Sequence, residues 1–317
     1  MAKLVHVTVG VIMDNDGKIF IAKRPLDTHQ GGLWEFPGGK VDANETIQQA
    51  LVRELREELA IEVLASEPLI QIRHHYPDKS VLLDVHKITQ FSGEPCGNEG
   101  QPVQWVEVRD LHKFEFPAAN RPIIAAISLP SRYLITGGFQ SHSDFSERLT
   151  GALNAGVRLV QLRVDNFDLT LHQGLLDILF SAVNGSSADV VINCSPAQFI
   201  QIGEIYPNFR VGLHLNSLNA AQIDSRPVDR GVLFGVSCHT AEEIVHAQKI
   251  GADYLLLSPV LPTTSHPHAA PLGWNSFSKL VELANVPVYA LGGVGEEQIQ
   301  IAQRCGAQGV AGISAWW

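Results

Sequence analysis

The chain has 317 residues, 45% of them hydrophobic and 18% charged, with a net charge of −10. That length suits two domains of ordinary globular composition. No apolar run reaches the roughly 20 residues of a membrane span, and the acid excess opposes both nucleic acid and membrane as general partners. The excess is shared, because residues 1–129 carry 13 basic and 18 acidic side chains and residues 130–317 carry 10 and 15. A small phosphorylated ligand, held by local dipoles and a metal ion, stays compatible with this balance. Residues 1–6 show no long apolar region and no cleavage site, which reads as a cytoplasmic protein. Cys96, Cys194, Cys238 and Cys305 stand far apart with no metal-ligand spacing, as reduced thiols do.

Residues 5–13 are β-branched and partly alternating, a strand pattern. Asp14-Asn15-Asp16-Gly17 has hairpin-turn chemistry, and 18–23 returns as a second strand. After Arg24-Pro25 a loop carries His29 and the pair Gly31-Gly32, and Trp34-Glu35-Phe36-Pro37-Gly38-Gly39 leads toward a helix ending at Leu59. In that helix Ile47, Leu51, Leu55 and Leu59 recur every four residues, a stripe to pack on a sheet. Glu54, Glu57 and Glu58, at i, i+3 and i+4, share another face. Three carboxylates there repel one another unless a cation lies between them. A hard divalent ion answers that, Mg²⁺ first and Mn²⁺ as the alternative. The glycines ahead allow a tight turn and a close backbone approach to a ligand. Strands are expected at 68–74 and 81–90 around a turn at 76–79. A glycine-rich loop at 97–102, a short strand at 103–108 and a helix at 118–127 complete an α/β sandwich over 1–129.

The register of glycine loop, Glu45 and Arg53-Glu54-Leu55-Arg56-Glu57-Glu58-Leu59 resembles the Nudix box of Mg²⁺-dependent hydrolases of nucleoside diphosphates linked to another group. One position departs: Ala60 stands where the family has glycine, which should cost stability more than chemistry. Further islands narrow the likeness to the mutator-type 8-oxo-dGTP diphosphatases. They are Val9-Gly10-Val11-Ile12, residues 19–24, Gly97-Asn98-Glu99-Gly100-Gln101-Pro102 and Phe116-Pro117-Ala118-Ala119-Asn120-Arg121-Pro122. The resemblance implies that the Gly38 carbonyl and the carboxylates of Glu54, Glu57 and Glu58 hold the metal. It makes Glu99 or Glu54 the base that takes a proton from water; the residues do not choose between them. Arg53, counted with that catalytic set, would pair with a neighbouring glutamate and fix its rotamer. Arg24 and His29 would meet the nucleotide, Glu35, Phe36, Pro37 and Gly38 would line its site, and Asn120 would read the base. Taken alone, Asn120 also suits a helix cap, and His29 a solvated loop. The implied reaction releases 8-oxo-dGMP and pyrophosphate from 8-oxo-dGTP, which serves DNA replication and repair.

Ser128-Leu129-Pro130-Ser131 marks the expected boundary, and the second domain spans 130–317. There eight short apolar strands, beginning near 133, 159, 190, 211, 233, 254, 288 and 309, alternate with helical stretches and predict a (β/α)₈ barrel. Its last helix is missing, and something else is expected to cover that place. Residues 133–136, 160–163, 235–240, 251–254, 258–263, 290–293 and 312–315 resemble the thiamine phosphate synthase and thiazole tautomerase family. Gly292 and Gly293, with Gly312, Ile313 and Ser314, are placed to cradle the phosphate of a thiamine-pathway ligand. The family's charged groups are replaced. Asn193-Cys194-Ser195 stands for Asn-Asp-Arg, 214–219 has no acid, Asp165 stands at a basic position, and a lysine is lost near His266. Where the tautomerase places its catalytic histidine this chain has Ser258. His266 and His268, around Pro267, suit a solvated loop better than a metal site. The expectation is a barrel that binds without synthase chemistry. The alternatives are a bifunctional hydrolase and synthase, or a Nudix enzyme for another nucleotide with the barrel as sensor.

Overall fold

The alternating first segment forms strand β1 (Leu4–Ile12), and the chain continues through β2 (Lys18–Lys23), β3 (Trp34–Glu35), α1 (Ile47–Leu59), β4 (Glu62–His75), β5 (Ser80–Ser92), β6 (Val103–Glu107) and α2 (Arg121–Ser128). The structure, a computed structural model, describes residues 4–76, 79–263 and 270–317. Two residues of the expected 76–79 turn, Pro77 and Asp78, lie outside the described residues, as do His266 and His268. Two units separate, residues 1–128 and 129–317.

The first unit holds two three-stranded sheets, ordered β1-β5-β4 and β3-β2-β6. β1 runs parallel to β5, and the remaining pairs are antiparallel. Val9 and Val11 face one core with Phe36, Phe116 and Ile123. On the opposite face a Cβ at Gly10 would meet Leu55 of α1 at 2.7 Å. Glycine there lets α1 lie flat on the sheet, where Leu51, Leu55 and Leu59 are fully buried. Each such leucine stabilises the fold by about 1.5–3 kcal/mol. Thr46 starts α1 with a capping box closed by Gln49.

Two sequence expectations are corrected. The Asp14 turn forms, with the Asp14 carboxylate accepting from the amides of Asp16 (2.9 Å) and Lys18 (2.8 Å), but the hairpin stops at one antiparallel bridge, Met13 to Ile19, and β1 and β2 then part into different sheets. β4 begins at Glu62, six residues before the expected start at 68, because Ala60 adopts a left-handed conformation (φ 59°, ψ 29°) that turns the chain straight from helix to strand. Register shifts between Val63 and Ile70 break the alternation that would have announced it.

The second unit is a closed barrel of eight parallel strands: β7 (Arg132–Ile135), β8 (Leu159–Leu162), β9 (Asp189–Asn193), β10 (Val211–Leu215), β11 (Phe234–Cys238), β12 (Tyr254–Leu257), β13 (Val288–Leu291) and β14 (Gly309–Gly312). Between them lie α3 (His142–Asn154), α4 (Leu169–Val183), α5 (Pro196–Ile205), α6 (Ser217–Ala220), α7 (Ala241–Lys249), α8 (Gly273–Val281) and α9 (Ile299–Arg304). The barrel interior carries a buried polar chain. Tyr133 Oη bonds Gln161 Oε1 (2.7 Å) and Tyr254 Oη (2.8 Å), Tyr254 reaches His214 Nδ1 (3.2 Å), and His214 Nε2 meets Ser237 Oγ (2.8 Å). After β14 the chain makes one turn, with the Trp317 amide on the Ile313 carbonyl at 3.0 Å. Trp317 packs edge-on against Phe145 of α3 and donates its indole N–H to Gly138 O (3.0 Å), while Trp316 donates to Glu296 ahead of α9 (3.1 Å). These rings thus bridge the start of α9 and α3.

Candidate active site

Three segments of the first unit meet beside α1. The loop after β3 is laid along β1: Gly10 N donates to Pro37 O (2.8 Å) and Thr8 N to Gly39 O (2.9 Å). Between them the Gly38 carbonyl accepts no backbone amide among the described residues. Gly38 has φ +146°, and a side chain there would strike the Thr8 carbonyl. A Cβ at Gly39 would take the space of the Glu54 carboxylate. Both glycines are therefore required by close approach, and Glu54 is seated on the loop.

The acids on α1 divide. Glu58 turns to the loop and accepts the Gly38 N–H (3.1 Å). Burial pushes its carboxyl up to about 8; Glu35, Glu54 and Glu99 add to the rise by charge repulsion, against the Gly38 amide, which lowers it. Glu35 is likewise raised, by burial first, with the Arg24 guanidinium beside it pulling the other way. Glu57 leans outward, 57% exposed, with its carboxylate 3.3 Å from Arg53. The structure thus gathers Glu35, Glu54, Glu58 and Glu99, and leaves Glu57 at the rim. Among the described residues no three His, Cys, Asp or Glu side chains form a finished metal-ligand set.

Arg53 is the hub. It donates to both oxygens of Glu45 (2.9 and 2.8 Å), to Glu54 (2.8 Å) and to the Lys40 carbonyl (3.0 Å). Glu45 and then Glu54 raise its already high pKa further. Expected from sequence to hold one glutamate, it ties the loop, the helix start and the acid face together.

Glu99 arrives on a loop that caps the other end of α1. Cys96 N, Asn98 N and the Asn98 side-chain amide donate to the carbonyls of Leu59 (3.1 Å), Glu58 (2.9 Å) and Glu57 (2.8 Å), and Gln101 Nε2 also reaches Glu58 O (3.0 Å). Asn98 and Gln101, to which the sequence motif assigns no role, thus hold the Glu99 loop to the helix. Two amide residues in a glycine-rich loop were the only signal.

Asn120, which precedes α2, does not turn its side chain to the helix start. Its Oδ1 faces the Phe36 amide at 3.5 Å. The Phe36 ring is buried and stacked on Phe116 (5.4 Å), and it is the Phe36 backbone amide that faces Asn120. Arg24 pairs with Glu35 and donates to the His29 carbonyl (2.9 Å), which makes it a brace of the loop. The His29 ring meets Tyr76 edge-on at 5.0 Å.

In the barrel, Gly292 (φ 92°) and Gly293 (φ 67°) follow β13, Gly312 ends the neighbouring β14, and Ile313 and Ser314 follow it, at the strand ends where such folds build sites. The residues that replace the expected charges serve the fold. Ser195 caps α5, accepting from Gln198 N, and Asn216 caps α6, accepting from Asn219 N. Cys194 is buried, its thiol pushed up to about 12 by desolvation. Asp165 is exposed, 3.8 Å from Arg163.

An acid-bearing helix behind a glycine turn on paired sheets, followed by an eight-stranded parallel barrel, defines a two-domain α/β enzyme. A model of the NUDIX domain matches residues 8–126, and a model of thiamine monophosphate synthase matches residues 132–316. The 8-oxo-dGTP diphosphatase of Escherichia coli is 38% identical over 125 residues, 39% of this chain and 97% of that protein. The CTP pyrophosphohydrolase of the same organism is 36% identical over 39% of this chain and 91% of its own length. A candidate thiamine-phosphate synthase 2 of Aquifex aeolicus is 34% identical over 59% of this chain and 98% of its own. The chain belongs to the Nudix hydrolases through its first unit and to the thiamine monophosphate synthase family through its second. No helix among the described residues is long and apolar enough to cross a membrane.

Proposed function

We propose that the first unit is a Mg²⁺-dependent nucleoside triphosphate diphosphatase that converts 8-oxo-dGTP to 8-oxo-dGMP and pyrophosphate. The observation that carries this is the crowding of Glu35, Glu54 and Glu99 around Glu58, with the Gly38 amide on Glu58 and Asn120 at the Phe36 amide. In this reading the Gly38 carbonyl, Glu54, Glu57 and Glu58 hold the ion. The donor set fits: it is all oxygen, and burial together with the neighbouring acids raises the Glu58 carboxyl, an unfavourable gathering of charge that a divalent cation would relieve. When bound, the ion polarises phosphate oxygens and makes water a better nucleophile at neutral pH. Arg53 and Gly39 fix Glu54, and Glu99 or Glu54 accepts the proton of the attacking water. Glu57, at the rim in this structure, would complete the set. Asn120 can donate and accept at once, which suits the altered edge of an oxidised guanine.

The relatives bear two nucleotide names, so the base is decided by assay. Steady-state kcat/KM with Mg²⁺ should favour 8-oxo-dGTP over dGTP and CTP by at least about tenfold, roughly 1.4 kcal/mol of discrimination. Equal rates would sink the substrate and leave the hydrolase.

For the barrel, the same reading is binding of a phosphorylated thiamine-pathway ligand at Gly292, Gly293, Gly312, Ile313 and Ser314, without condensation chemistry. Calorimetry of the full chain with thiamine phosphate and thiazole phosphate tests it. No heat with either would leave a scaffold, and growth of a thiamine-requiring strain on the full chain would restore the synthase alternative.

A further inference from the structure

The carbonyls of Glu57, Glu58 and Leu59 end α1 with no helical amide to accept from. The 96–101 loop supplies those amides, and most of its contacts only anchor the loop to the helix. Gln101 does more. Its Nε2 donates to Glu58 O at 3.0 Å, and its Oε1 accepts the N–H of Glu99 at 2.9 Å. One side-chain amide thus joins the backbone of Glu58 to the backbone of Glu99, donating to the first and accepting from the second. Few side chains have both capacities on adjacent atoms. Glu99 is exposed, its charge opposes that of Glu58, and a turn closed by Gly100 (φ +83°) leaves it little else to lean on. Without a tether, repulsion and solvation both draw it away from the acid face.

We infer that Gln101 is the positioning residue of Glu99, holding that carboxylate over α1 through the Glu99 backbone amide. This rests on the hydrolase reading above, in which Glu99 serves the reaction. It differs from a stability role because the helix end survives the loss of Gln101: Asn98 N still donates to Glu58 O at 2.9 Å.

The test is a double-mutant cycle on the full chain, with E99Q, Q101A and the pair assayed for hydrolysis of a nucleoside triphosphate in Mg²⁺. Misplacing a reacting group by about 1 Å costs on the order of a hundredfold, so Q101A should lower kcat roughly 10- to 100-fold with KM within about twofold. The pair should be no slower than E99Q alone, because Gln101 acts only through Glu99. In metal-free protein the Glu99 amide should exchange its hydrogen on the order of tenfold faster in Q101A, at an unchanged melting temperature. Multiplying effects, or a normal kcat in Q101A beside a slow E99Q, would overturn the inference and leave the hydrolase intact. A normal kcat in E99Q would instead overturn the role given to Glu99 itself, and the inference with it.

Discussion

Arg53→Lys separates charge from geometry at the centre of the site. The guanidinium spans Glu45, Glu54 and the Lys40 carbonyl at 2.8–3.0 Å, with Glu57 at 3.3 Å. A lysine ammonium keeps the charge but is a single point and cannot reach all of these together. Charge-assisted hydrogen bonds contribute about 1.5–3 kcal/mol each where dry, but 29% of the Arg53 side chain is exposed, so water replaces part of what is lost. The net stability cost should be about 1–2 kcal/mol, which lowers the melting temperature of a domain this size by roughly 4–8 °C. The catalytic cost should be larger. Glu54, released from one of its two constraints, loses its seat over Gly39, and kcat should fall on the order of a hundredfold. Arg53→Met should lose a similar factor, because the fork and not the charge is what matters. Steady-state kinetics at saturating Mg²⁺, well below both melting temperatures, decide it. A lysine variant with wild-type kcat beside an inactive methionine variant would show that charge alone suffices.

Glu57→Gln should lower kcat at least about a hundredfold and raise the Mg²⁺ requirement, while thermal melting moves little, because this side chain is 57% exposed and its ion pair with Arg53 is long, at 3.3 Å. Ala60→Gly should do the opposite: relief of a left-handed alanine (φ 59°) is worth about 1 kcal/mol, or about 4 °C of melting temperature, with kcat unchanged. His214 gives the barrel a pH dependence. Burial first, then Arg163, holds its imidazole down to about 3, so the native state refuses a proton that the unfolded chain takes up near its ordinary value of 6.5. Stability is therefore full above pH 6.5 and falls as pH drops from there toward 3, by up to about 1.4 kcal/mol per unit. Native-state hydrogen exchange in β10 and β12 at pH 7, 6 and 5 should show that slope, and His214→Gln should flatten it.

How much was legible in the sequence follows the range of the forces. The leucine stripe of α1 and the Glu54, Glu57, Glu58 face repeat within one helix, so local spacing reveals them. The eight barrel strands are short apolar runs, each buried on both faces, and they announce themselves the same way. The parting of β1 from β2 was hidden because the partner of β1 is β5, across Val9 and Val85. The burial of Phe36 depends on Phe116, and the roles of Asn98 and Gln101 depend on carbonyls some forty residues earlier. Arg53 was read as one partner of one glutamate, since nothing local says that Glu45 and Lys40 fold back onto it.

The two units resolve the same conflict in opposite ways. The first keeps its carboxylates crowded, at a cost visible in Glu58, and holds them with Arg53 and the loop after Cys96. The barrel has discharged the corresponding positions and given them to the fold, with Ser195 and Asn216 as helix caps worth about 1 kcal/mol each. Cys194 shows why this is hard to reverse. Burial already pushes its thiol up to about 12, so an aspartate there would meet the same desolvation against its charged form. A basic residue returned to Ser195 would also give up the cap of α5, so charge comes back to this part of the barrel only against the packing and capping that now occupy it.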